Sequence, residues 1–195
     1  VSDEPEESFT LEQFARFTKA VDELENETGR SLGIRHCANS GAVVNFRETC
    51  LDMVRPGLLL YGLYPGAERG GLDLKPVMRL LTRVAEITEH HAGDTISYGR
   101  IFTCERDMRL AVIPVGYADG LHRSLSGKFD VLINGKRAHQ VGRICMDMCM
   151  VRIPEGVDVH RGDEVTVFGP EGWTAEDAAD AAGTISYEVL CAISR

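Results

Sequence analysis

The sequence predicts an α+β protein: a short α/β stretch in its first third, then a mainly β part with one helix. Three observations carry that reading. Phe9, Phe14, Phe17, Val21 and Leu24 recur at the three-to-five spacing of an amphipathic helix. Beyond Pro76, apolar runs of strand length dominate. Between the two parts, Gly66, Gly70 and Gly71 break the pattern from Pro65 to Pro76, as a linker does.

The first helix opens at a capping box in Thr10-Leu-Glu-Gln13 and stops at Gly29. A short strand is expected from Gly33 to Cys37, then a polar turn through Ala38, Asn39, Ser40 and Gly41. A second strand is expected from Leu58 to Tyr61, after Val54-Arg55-Pro56-Gly57. Helix, strand, short element, strand is the rhythm of a parallel α/β unit, and two strands alone leave such a unit unfinished.

In the second part, strands are expected at Met78 to Thr88, Arg109 to Val115, Phe129 to Ile133, Met148 to Ile153 and Glu164 to Phe168. Asn134-Gly135 supplies the pair of positive φ angles that a type I′ hairpin turn requires. Thr174-Ala-Glu-Asp177 caps an Ala-rich helix that runs to Ala182 and ends at Gly183. The boundaries read as residues 1–66, a linker at 67–75, and residues 76–195.

Composition removes several classes of function. At about 100–200 residues per domain, 195 residues give one or two domains with a real core. No apolar run approaches the roughly 18 residues of a membrane span. Asp3, Glu4, Glu6 and Glu7 have the wrong sign for a signal peptide, and the absence of an opening Met suggests a piece of a longer chain. With 21 basic and 30 acidic residues the net charge is −9, which argues against binding the nucleic-acid backbone. The six cysteines form no C-x-x-C pair, so a metal site has no support and reduced thiols in the cytoplasm are expected. Cys145 and Cys149, four apart in a strand-like run, are expected to face one side.

Polar clusters sit among glycines and apolar residues: His36-Cys-Ala-Asn39-Ser40, Arg55-Pro-Gly57, Ser97-Tyr98-Gly99, Gly116-Tyr117-Ala-Asp119-Gly120, Gly142-Arg143-Ile-Cys145-Met146-Asp147 and Ser186-Tyr187-Glu188. Pro56 fixes φ, and Gly57 lets a ligand approach the backbone. The amides of Gly57 and Leu58, with the Ser40 hydroxyl, could therefore receive a phosphate at a strand mouth. A plain β-turn with a capping Ser explains the same residues equally well.

The ordered string of these motifs resembles the alanine racemase family. The resemblance rests on His36-x-Ala-Asn39-Ser40, on Val54-Arg55-Pro-Gly57 through Tyr61-Gly62, and on Ile96-Ser-Tyr98-Gly99-Arg100. It continues in Pro114-Val-Gly-Tyr117-Ala-Asp-Gly120, Val141-Gly-Arg-Ile-Cys-Met146-Asp147 and Ile185-Ser-Tyr187-Glu-Val-Leu-Cys191, covering essentially the whole chain. It implies the remnant of an (α/β)8 barrel that holds pyridoxal 5′-phosphate, followed by a mainly β domain, with the chain starting after the sixth barrel strand.

Roles follow from the resemblance, residue by residue. Tyr98 is implied as one of two opposed bases, and a phenol, which titrates near pH 10, needs positive or hydrogen-bonding neighbours for that work. Arg55 is implied to meet the pyridine nitrogen of the cofactor. Ser40, Gly57, Leu58 and Tyr187 are implied as phosphate contacts, and the Met146 amide as a neighbour of the substrate carboxylate. Tyr117 and Asp147 align with the access route and interface, and His36 and Asn39 with residues supporting the site. The family's other base is the cofactor lysine, and its segment is absent. Lys19, Lys75, Lys128 and Lys136 lie in a helix, a linker, a pre-strand turn and beside a hairpin turn, which are poor settings for a reactive amine.

The resemblance further implies a head-to-tail homodimer in which Tyr98 and Met146 serve the second copy's cofactor. L- and D-alanine are then the substrates, and the isolated chain is expected to be inactive without the N-terminal barrel half. A non-catalytic dimerisation module and a serine racemase of the same family are the alternative readings.

Overall fold

The structure is a computed structural model that describes residues 2–4, 6 and 8–193. The chain forms two compact units, residues 1–76 and 77–195.

In the first unit, α1 spans Phe9–Thr28 and stops where Gly29 turns left-handed, with φ 62°. Its N-cap is Ser8 rather than Thr10, which lies inside the first turn, so the expected Thr10–Gln13 box does not form. Val21 is its buried residue, while Phe9 and Leu24 are about half exposed. Residues 31–38 form no strand, contrary to expectation. Arg35 N–H donates to the Asp52 carboxylate at 2.8 Å, so a side chain stands where a neighbouring strand would pair. One parallel bridge, Asn39 to Arg55, joins this segment to the next.

Short helices replace the rest of the expected α/β strands. α2 spans Ser40–Asn45, and the Asn39 side chain caps it by accepting from Ala42 N–H at 3.0 Å. The run expected as a strand from Leu58 to Tyr61 is a helical turn, α3, at Gly57–Leu60. Pro56, at φ −84° and ψ 59°, makes an inverse γ-turn in which Gly57 N–H donates to Arg55 C=O at 3.0 Å. That bend redirects the chain into a helix, which buries Leu58 and leaves Leu60 outside. An apolar run of four residues suits either structure, and the turn before it decides.

Among the described residues the second unit is built on nine strands: β1 (Leu80–Arg83), β2 (Glu86–His90), β3 (Thr95–Ile96), β4 (Phe102–Thr103), β5 (Met108–Ile113), β6 (Asp130–Ile133), β7 (Lys136–Val141), β8 (Cys149–Arg152) and β9 (Glu164–Phe168). Seven form one antiparallel sheet in the order β1-β9-β6-β7-β8-β5-β2, and β3 pairs with β4. The expected Met78–Thr88 strand breaks at Val84 and Ala85. Val84 N–H donates to Asp163 C=O and Ala85 N–H to Val112 C=O, so the chain changes partner there. Because β1 and β2 lie at opposite edges of the order yet are joined by two residues, the sheet must curl almost closed.

The curl encloses a core that includes Ile113, Phe129, Ile133, Ile144 and Val165. Trp173 stacks on Phe129 with ring centroids 5.0 Å apart. The Asn134-Gly135 turn has φ 51° and 73°, as a type I′ hairpin between β6 and β7 requires.

α4 (Ala175–Ala182) carries the expected cap at Thr174 and ends at Gly183. A second helix, α5 (Ser186–Ala192), follows, where one helix is expected from the sequence. Cys149 lies buried in β8, but Cys145 sits in the loop before it, so the two thiols do not share a strand face. Among the described residues no helix is long and apolar enough to cross a membrane.

Candidate functional site

In the first unit the polar residues converge on the starts of α2 and α3. Arg55 Nη1 lies 2.6 Å from His36 Nδ1, and its Nη2 donates to Cys37 C=O at 3.2 Å. Its own N–H donates to Ala38 C=O at 2.8 Å. The guanidinium is thereby held by both backbone and ring. Asn39 Oδ1 accepts from Ala42 N–H and from the Ser2 hydroxyl, so it fixes the first turn of α2. A cleft of about 430 Å³ opens beside these groups, lined by His36, Asn39, Arg55 and the Phe14 and Phe17 side of α1. Burial pushes the Cys37 thiol upward, against the pull of the nearby Arg55 charge.

Ser40 opens α2, and Gly57 and Leu58 open α3. Ser40 is buried, and its Oγ accepts from Leu59 N–H at 3.4 Å, tying the two helix starts. Gly57 does not have a positive φ, and a Cβ there would meet nothing within 4 Å. Open space therefore lies over the start of α3. The Gly57 N–H is committed to Arg55 C=O, which leaves the Ser40 hydroxyl and the first-turn N–H of Leu58, without an intrahelical acceptor, as donors. Hydroxyl and amide donors on segments that the Asn39–Arg55 bridge joins to a fixed guanidinium suit an anionic phosphate ester with a ring nitrogen acceptor, so the residues fit pyridoxal phosphate.

In the second unit, three loops form one connected cluster. Tyr98 sits in the connection between β3 and β4; it is 73% exposed, and among the described residues nothing bonds its hydroxyl. The Ser97 hydroxyl donates to Arg143 C=O at 2.8 Å, joining the Tyr98 turn to the loop that carries Met146 and Asp147. That loop is joined in turn to Tyr117: Tyr117 N–H donates to Cys145 C=O and Ala118 N–H to Met146 C=O, each at 3.0 Å. Gly116 is required at this join, since a Cβ there would overlap the Met146 and Cys145 carbonyls. Asp119 closes the Tyr117 turn by accepting from Gly116 N–H at 3.0 Å.

The end of α5 also reaches the cluster, because Gly120 packs directly on the Ala192 backbone. Tyr187 stands in the first turn of α5, partly exposed, and Asp147 is exposed. Three residues that sequence reading left without a role, Ser97, Arg143 and Gln140, brace this cluster. The signal for Ser97 lay in its motif: a polar residue ahead of Tyr-Gly at the end of a strand-like run. Among the described residues no group of three or more His, Cys, Asp or Glu side chains is placed to hold a metal ion.

Comparison with known proteins agrees with both units. Residues 1–65 match the family profile "Alanine racemase, N-terminal domain", and residues 77–195 match "Alanine racemase, C-terminal domain". The chain belongs to the alanine racemase family. An alanine racemase of Desulfovibrio desulfuricans is 47% identical over 195 residues, covering 100% of this chain and 52% of that protein. One of Desulforamulus reducens is 46% identical over 192 residues, 97% of this chain and 52% of its own length. Among solved structures, the alanine racemase of Clostridium difficile 630 in complex with cycloserine superposes with a TM-score of 0.91 at 41% identity, covering 100% of this chain and 52% of that one. The chain thus spans about half the length of the curated relatives it matches.

Proposed function

We propose that this chain supplies half of the machinery of a pyridoxal-phosphate-dependent racemase that interconverts L- and D-alanine. The observation that carries the reading is the Arg55 guanidinium held 2.6 Å from His36, on a segment bridged to Asn39, one residue before the Ser40 hydroxyl that ties α2 to the start of α3. Arg55 meets the pyridine nitrogen, while the Ser40 hydroxyl and the Leu58 N–H hold the phosphate in the open space that Gly57 leaves over the start of α3. When bound, pyridoxal phosphate stabilises negative charge at the substrate α-carbon. A guanidinium keeps its proton throughout the working pH range, so Arg55 binds the nitrogen without protonating it. That limits how far charge is drawn into the ring and favours prompt return of a proton to the α-carbon.

Tyr98 is the base on one face of that carbon, and an amine outside this chain serves the other. Racemisation needs proton removal on one face and delivery on the opposite one, which suits two separate groups. The Met146 amide receives the substrate carboxylate. His36 orients Arg55, Asn39 fixes the α2 turn, and Tyr117 and Asp147 line the access route.

Tyr98, Ile101, Tyr117 and Met146 are all exposed in the second unit, an apolar and aromatic surface of the kind that docks on a partner. We therefore assign Tyr98 and Met146 to the cofactor site of a second copy in a head-to-tail homodimer. The six free cysteines fit a cytoplasmic setting.

The test is racemisation by the full-length protein with added pyridoxal phosphate, using alanine and serine as competing substrates, beside Tyr98→Phe. Turnover of alanine that falls about 10²- to 10⁴-fold in Tyr98→Phe supports the assignment. Unchanged turnover in that variant refutes the base, and faster turnover of serine refutes the substrate. Sedimentation of the full-length protein as a monomer under assay conditions refutes the shared site.

A further inference from the structure

Ser97 adopts φ 65° and ψ 179°, a backbone region that only glycine populates freely. A serine persists there only where its surroundings over-determine it. Its hydroxyl donates to Arg143 C=O at 2.8 Å and lies 3.7 Å from Cys145 Sγ. The side chain fits a notch left by Gly142, where an added Cβ would stand 2.8 Å from Ser97 Cβ.

The residues after it are held as well. Arg100 N–H donates to Ser97 C=O at 3.1 Å, and Arg100 Nε donates to Thr95 Oγ1 at 2.9 Å. Gly99, at φ 74°, lies under the Arg143 side chain, whose Nε would be 3.3 Å from a Cβ there. Tyr98, between these held residues, is 73% exposed. The frame is tethered on both sides of Tyr98.

We propose that Ser97 is a positioning residue for the Tyr98 base: its hydroxyl, seated in the Gly142 notch and bonded to the Arg143 carbonyl, fixes the direction of the phenol relative to the Met146 loop. The proposal rests on Tyr98 being a proton-transferring base. A backbone held in an unfavoured region returns to ordinary angles once its tether is cut, and a displacement of about 1 Å at a reacting group costs about 100-fold in rate. No new bond is made to substrate; the Ser97 hydroxyl keeps its own proton throughout.

The test compares Ser97→Ala, Ser97→Gly and Tyr98→Phe in the full-length holoenzyme. Ser97→Ala removes the tether and keeps the strain, whereas Ser97→Gly removes both the tether and the side chain seated against Gly142, which frees the turn to move. Both are expected to lower kcat about 10- to 100-fold with KM changed less than about 2-fold. The α-deuterium isotope effect should rise for the enantiomer whose proton the phenol removes and fall for the other, because one of the two transfers alone is slowed. Loss of folding or of cofactor would slow both directions without that asymmetry.

Hydrogen exchange at the Arg100 amide, read without substrate, should quicken in both Ser97 variants. Wild-type kcat and isotope effects in Ser97→Gly, with Tyr98→Phe inactive, overturn the proposal alone. Full activity in Tyr98→Phe overturns the base assignment and the proposal together.

Discussion

The side-chain amide of Gln140 donates to Gly142 C=O at 3.1 Å in a place from which solvent is wholly excluded. The same amide donates to Val141 C=O at 2.9 Å, and Gln140 Oε1 accepts from Gly127 N–H at 2.5 Å. Every polar atom of a buried side chain is thus answered, which is the condition for burying an amide without a large penalty. Gln140 links the turn after Ser126 to the glycine against which Ser97 is seated.

Gln140→Leu keeps the volume and strands the Gly127 N–H. We expect a loss of about 2–4 kcal/mol, seen as a fall of roughly 8–16 °C in the melting temperature of the β unit. His139→Ala, one residue earlier, removes a partly exposed contact with Asp130 and should cost about 0–1 kcal/mol. Equal losses at the two positions would contradict the role given to Gln140.

The sequence alone assigns no role to His139 or to Gln140. Nothing in the hydropathy of β7 separates them, because Gln140 is satisfied by backbone groups of the loops at Gly127 and Gly142 rather than by a patterned partner. The hairpin at Asn134-Gly135 and the cap at Thr174 were legible because their cause is local: two positive φ angles, and one hydroxyl facing its own first turn. The turn motifs at Tyr98, Tyr117 and Met146 were legible as motifs only. That one loop network joins them follows from Gly116 and Ser97 meeting residues about 30 to 50 positions away. The strand expected at Leu58 failed for the opposite reason: four apolar residues carry no period, and the bend at Pro56 chose the helix.

Thr174 and Asp177 cap α4 reciprocally. Thr174 Oγ1 accepts from Asp177 N–H at 3.1 Å, and Asp177 Oδ2 accepts from Thr174 N–H at 2.8 Å. Thr174→Ala should destabilise by about 1 kcal/mol in urea titration. Since the hydroxyl also donates to Asp177 Oδ2, the two substitutions share partners. Thr174→Ala with Asp177→Ala should therefore cost less than the sum of the single losses. Strict additivity would mean that the two side chains act independently.

Thiol reactivity should follow burial. Desolvation pushes the Cys149 thiol up to about 12, and it pushes those of Cys104 and Cys37 above 9.0. At pH 8 almost none of the Cys149 population is thiolate, so alkylation of the native protein should leave Cys149 unlabelled while exposed Cys191 reacts first. Denaturation before labelling should restore Cys149. Peptide mass mapping reads the order, and early labelling of native Cys149 would count against its burial in β8.

Asp163 ties the hairpin turn to the turn before β9. It accepts from His160 N–H at 2.9 Å and from the Asn134 side chain at 2.7 Å, and these bonds hold its carboxyl below the ordinary 3.8. Both donors favour the ionised form, so the folded state binds the proton more weakly than the unfolded chain does. The stabilisation is then complete above pH 3.8 and is lost as pH falls through the lowered folded value. Asp163→Asn abolishes this titration and leaves one weaker acceptor. The variant should unfold at lower urea than the parent at pH 6, with the gap narrowing steadily below pH 3.8 as the parent itself is protonated. A gap that stays constant from pH 6 to the acid limit of folding would show that the carboxylate charge contributes nothing at this turn.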